Sequence, residues 1–174
     1  MNSASIALES SDLVKLLDSL ADEATTEGEL AALLRKKERL LVEGDAAGLQ
    51  ELLSGAAVIV GRLEEIAVRR GKIVLTIGRK LKRDPDGLKI RDIAAASPPS
   101  DRNLLDQAAG RLRKALDEVR TLNRRCIALA RQGAELNRAL VHVLFGTVPP
   151  TGVYGRNGRR LDSPAVEAGF AREA

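Results

Sequence analysis

From Leu49 onward, apolar residues recur at Leu49, Leu52, Ala56, Ile59, Leu63, Ile66, Ile73 and Ile77, and only Arg70 interrupts the series with a polar side chain. The steps alternate three and four residues without a slip. A second series runs from Leu105 through Ala108, Leu112, Ala115, Val119, Leu122, Cys126, Leu129, Gly133, Leu136 and Leu140 to Val143. A mean period of about 3.5 residues, sustained this long, puts the apolar side chains on one stripe of a helix. Such a stripe calls for partner helices lying nearly parallel or antiparallel to it. Residues 101–145 would form a rod on the order of 65 Å long, at about 1.5 Å per residue. The expected fold class is all-α: an elongated, coiled-coil-like antiparallel bundle of three long helices.

The remaining pattern fills in that outline. Leu13, Leu16, Leu17 and Leu20 make one stripe of the first helix, and Leu30, Leu33, Leu34, Leu40 and Leu41 make another. Between them lies the polar run "DEATTEGE", where Thr26 and Glu29 have the spacing of a capping box. A kink and a fresh helix start are both open there. "EGD" at 43–45 combines a glycine stop with an aspartate start, as a tight turn between antiparallel helices requires. The "AAVIV" run at 56–60 could pass for a buried strand, but the helical period continues through it. "RDPDG" at 83–87 ends the second helix, and "LKIRDIAAA" at 88–96 predicts a short connecting helix. "SPPSD" at 97–101 forces an extended turn, with Ser100 or Asp101 available to cap the last helix. Residues 147–174 hold three prolines, four glycines and no periodicity, so the expected division is a helical bundle domain at 1–146 and a flexible C-terminal tail at 147–174.

Composition narrows the chemistry. Of 174 residues, 44% are hydrophobic and 30% charged, the net charge is +4, and aromatics are only 2%. So few rings argue against base-stacking nucleic-acid modules, and the short basic clusters read as solvated helix faces; no nucleic-acid partner is expected. A single histidine, His142, cannot furnish the paired ligands of a di-metal bundle, and one cysteine with one histidine cannot build a zinc site. No catalytic residue, cofactor or metal is expected. Cys126 occupies the apolar stripe, where a small buried side chain belongs. One cysteine fits a reducing compartment. The first residues lack the pattern of a secretory signal, and no unbroken apolar run approaches the roughly 20 residues that span a bilayer. The expectation is a cytoplasmic protein with no stable membrane insertion.

One stretch stands out as a candidate binding surface. The last helix ends in "ALVHVLF", apolar on nearly every face, although a surface helix should keep a polar side. Leu140, Val143 and Leu144 can follow the stripe, but Val141 and Phe145 fall outside it and need cover from the connecting helix, the tail or a partner. The only tyrosine, Tyr154, lies just beyond, in "TGVYGRNG". Such a setting suits an exposed anchor rather than a core residue.

Two segments resemble the FlgN-type flagellar export chaperones. "LLRKKERLLVEGDAAGLQELLSGAAVIVGRLEEIAVRR" at 33–70 is similar to that family's leucine helix, Gly-Asp turn and second leucine helix ending in arginine. "LNRRCIALARQGAELNRALVHVLFGTVPPTGVYGRNGRR" at 122–160 resembles its closing signature, an asparagine-bearing helix followed by a tyrosine-glycine turn. Cys126 stands where the family often has a second asparagine. The resemblance implies a non-enzymatic chaperone that binds hook-associated (hook–filament junction) proteins through their C-terminal segments and delivers them to the flagellar export gate. Leu136, Leu140, Val141, Leu144, Phe145 and Tyr154 are then the candidate contacts. A helical coiled-coil adaptor or scaffold unrelated to flagella is the competing reading. Self-association into a homo-oligomer stays open.

Overall fold

The computed structural model describes residues 10–145. Its elements are α1 (Ser10–Glu43), α2 (Ala46–Leu81), a 3-10 turn (Pro85–Gly87), α3 (Ile90–Ala96) and α4 (Pro99–Phe145). This is the expected all-α class, with three long helices and one short connector. The chain divides into two compact units, residues 1–130 and 131–174; the helical bundle described below belongs to the first.

The α1–α2 turn is made by three residues. Gly44 takes a left-handed φ of +70°, and Asp45 caps α2 by accepting the Gly48 N–H at 2.9 Å. A Cβ at Gly48 would sit 2.5 Å from Asp45 Oδ2 and 2.9 Å from Leu40 Cδ2, so a larger residue would displace the capping carboxylate. Ion pairs then mark the antiparallel register: Asp12–Lys80, Asp22–Arg69, Glu23–Arg70 and Glu29–Arg62. From Asp12 to Glu29 along α1, the partners run back from Lys80 to Arg62 along α2. The fourth helix runs alongside α1 in the same direction. Leu13, Leu16 and Leu20 share a core cluster with Leu105 and Leu112. Farther along, Ala31 and Leu34 pack with Leu122 and Cys126, and Arg35 pairs with Glu118.

The core thus falls into two apolar clusters. The first, joined by Ile77, Ile93 and Ala94, buries six large side chains almost completely, each worth about 1.5–3 kcal/mol of transfer free energy. Between the clusters α1 presents Glu23, Thr26 and Glu27, all buried. Arg70, the one polar residue in the α2 series, meets this layer: its Nε lies 2.9 Å from Glu23 Oε2. Burial pushes the Glu27 carboxyl up from its usual range, with the Glu23 charge adding and Arg120 opposing.

Three local outcomes differ from, or decide between, the expectations. First, α1 is continuous through "DEATTEGE". The Thr26 hydroxyl donates back to the Asp22 carbonyl at 2.8 Å and Glu29 is engaged by Arg62, so neither residue forms the capping box. Second, α4 begins at Pro99, ahead of the proposed caps, and Ser100 and Asp101 lie in its first turn. Proline suits a first helical position, since its φ is already helical and its missing N–H would have no intrahelical partner. Arg102 instead ties the two helices together, donating to the Ala94 and Ala95 carbonyls at 3.1 Å each. Third, α2 as a whole is long and apolar enough to cross a membrane by length and composition, although no unbroken apolar run in it is. Its valines, isoleucines, leucines and alanines raise the mean hydropathy, while Arg62, Arg69, Arg70 and Lys80 bind it to carboxylates of α1. The expected C-terminal tail lies outside the described residues.

Candidate partner-binding site

The α4 series is covered only over part of its length. Leu105, Leu112, Leu122 and Cys126 are buried, and Ala108, Ala115, Val119 and Leu129 are half-buried. From Arg131 to Phe145 every residue is exposed. Of the predicted site residues, Leu136, Leu140 and Leu144 stand one helical turn apart on one face, while Val141 and Phe145 form a second pair one turn apart. Val143 adjoins them at 81% exposed, and Phe145 is 77% exposed. The helix brings these side chains together into one apolar surface. The cover that Val141 and Phe145 were expected to need is not supplied by the described residues. The short α3 is engaged elsewhere, with Ile93 and Ala94 buried beside Leu13, Leu16 and Leu20. Tyr154 lies outside the described residues.

This surface offers contact area and almost no chemistry. Its one titratable side chain after Arg138 is His142, exposed in the last turn of α4. Cys126 is buried, its Sγ 3.5 Å from the Leu34 carbonyl, and burial raises its thiol above the usual range. That favours the protonated, unreactive form. Among the described residues no three His, Cys, Asp or Glu side chains gather where a metal could sit. A recess of about 700 Å³ between the connector and α4 has Glu23 and Arg70 in its lining with Leu88, Ile90, Asp106 and Leu112. Within it Glu23 and Arg70 are already paired with each other.

The FlgN protein family model matches residues 12–161. The chain belongs to the FlgN family of flagellar export chaperones. No curated protein and no solved structure matches it.

The family match spans the α1–α2 hairpin and the whole of α4 and continues past Tyr154. For this FlgN-family chain, residue-level reading missed the outer face of α2. Leu53, Val58, Val60 and Val68 are exposed there, at 60%, 64%, 44% and 60%. The signal was available: all four lie outside the three–four series that accounts for the inner face. Singly, each looks like an ordinary helix residue until the inner face is known.

Proposed function

We propose that this FlgN-family chaperone binds hook–filament junction proteins through their C-terminal segments, holds them on the exposed end of α4, and delivers them to the flagellar export gate in the cytoplasm. The function is one of binding, with no catalytic step. The observation that carries the reading is the bare apolar surface of Leu136, Leu140, Val141, Leu144 and Phe145. An amphipathic client segment laid against it would bury apolar area on both partners, as in helix-in-groove recognition. Aspartate at this surface would instead leave a charge to be desolvated on binding. Tyr154 serves as the anchor for a second partner, the gate, because a tyrosine among glycines offers a large contact with a polar tip.

The experiment is calorimetry of the full chain against a client C-terminal peptide and, separately, the gate component. Leu140→Asp with Leu144→Asp should weaken client binding by about 2 kcal/mol or more, roughly thirtyfold. Tyr154→Ala should cost the gate interaction a similar factor and the client far less. A doubly substituted chain that binds client as tightly as the parent would refute the assignment to α4. Unchanged gate affinity in Tyr154→Ala would remove the tyrosine from it.

A further inference from the structure

Opposite its buried series, α2 carries a second stripe with the same rhythm. Ala57 and Val58, Gly61, Glu64 and Glu65, Val68, Gly71 and Lys72, and Leu75 follow one another at three- and four-residue steps. All but Gly61 are exposed, and Gly61 is half-exposed. The large apolar members are well exposed: Val58, Val68 and Leu75 at 64%, 60% and 41%. A Cβ added at Gly61 or Gly71 would meet nothing within 4 Å, so the face is open at both. A shallow recess of about 490 Å³ runs along it, lined by Gly61, Glu64, Glu65, Val68, Arg69 and Lys72.

The charges on this face are arranged about Val68. Glu64 and Glu65 precede it, Lys72 follows it, and none of the three makes an ion pair among the described residues, whereas Arg62 and Arg69 beside them are held by α1. We propose that this face is a self-association surface, occupied by α2 of a second copy lying antiparallel across a two-fold axis at Val68. Residues equally far from Val68 then oppose each other. Glu64 faces Lys72 of the second copy, and Lys72 faces Glu64, so the pair forms twice. Leu75 comes over Gly61 of the other chain, where no Cβ obstructs it, and Glu65 lies opposite Gly71. A parallel pairing has no such match, because it sets Glu64 against Glu64 and Lys72 against Lys72. Self-complementarity of one patch is what a two-fold interface requires, and charge pairing fixes its register.

The interface is small. Eighteen residues of helix make a contact about 27 Å long and 10 Å wide on each copy, on the order of 600 Å² in all. A stable interface buries at least about 1,200 Å², so the association is weak and reversible.

Sedimentation velocity on the full chain, from micromolar to near-millimolar concentration, should show a rising average mass. Glu64→Lys alone, or Lys72→Glu alone, should weaken dimerisation at least tenfold, and the two together should restore it. Val68→Cys should cross-link to itself on oxidation. Leu53→Cys should not, since fifteen residues from the axis put the two cysteines about 45 Å apart; buried Cys126 stays out of the reaction. A chain that remains monomeric throughout would overturn the proposal. So would a double charge swap no better than the single ones, or Leu53→Cys cross-linking as readily as Val68→Cys. Protection of this face only by a client, with the chain monomeric, would also overturn it and assign the face to that partner.

Discussion

The two stretches of α4, Pro99–Ala130 and Arg131–Phe145, carry the same apolar rhythm and meet opposite fates. In the first, Leu105 and Leu112 close the core with Leu13, Leu16 and Leu20, and Leu122 and Cys126 close it with Ala31 and Leu34. In the second, Leu136, Leu140 and Val143 continue the series into solvent. In the first stretch the cover comes from α1, whose Leu34 carbonyl is 3.5 Å from the Cys126 thiol and whose Leu41 packs against the same cluster. Helical periodicity predicts where a stripe lies, while packing decides whether that stripe becomes core or surface.

The largest expected contrast between the stretches is in stability. Leu105→Ala should cost about 3 kcal/mol by leaving a cavity in a closed core. Leu140→Ala should change stability by less than about 0.5 kcal/mol, because the side chain is already half in water. Denaturant titration of both variants decides it. Similar losses at both positions would show that the end of α4 is covered after all. A second contrast concerns polarity inside the covered part. Arg70→Leu should cost about 2 kcal/mol, since it strands the buried Glu23 carboxylate. Adding Glu23→Leu should recover most of that loss, as a matched apolar pair needs no desolvated charge. If the double variant were no more stable than the single one, the layer would be holding the fold by more than this pair.

The smallest effect depends on pH. Glu27 has its folded-state pKa raised above the reference value of 4.5, first by burial and then by Glu23. A carboxyl raised on folding favours the protonated form in the folded state. Its contribution to stability is fully present below the unfolded pKa and is lost as pH rises through the folded one. Glu27→Gln should therefore be more stable than the parent near neutral pH, with the advantage shrinking as pH falls toward 4.5. Thermal melts at several pH values measure it. An advantage that grew on acidification would reverse the sign and place the carboxylate in a favourable pairing instead.

Much of this architecture can be read from residue order alone. Every member of the α2 series from Leu49 to Ile77, Arg70 included, is buried or half-buried. The Gly44–Asp45 turn forms as glycine and aspartate predict, because left-handed φ and side-chain capping are properties of single residues. "DEATTEGE" was harder, since its polar residues look like an interruption when only neighbours in the chain are weighed. Their partners are Arg62, Arg69 and Arg70, more than thirty residues away on α2, and α1 runs through them unbroken. The surface at the end of α4 was visible as an excess of apolar residues, and the family match extends beyond it to Tyr154. The outer face of α2 was not, because Val58 and Val68 look like ordinary helix residues until the inner face is known.

Period, turns and helix type are set by forces between residues three or four apart, and these are fully written in residues 10–145. The polar layer at Glu23, Glu27 and Arg70, the unbroken α1, and the covering of Leu122 but not Leu136 depend on which helices end up side by side. Apolar residues repel water in the same way wherever they stand. Only the assembled helices decide which of them escape it, because burial is a relation between surfaces that the chain brings together from far apart.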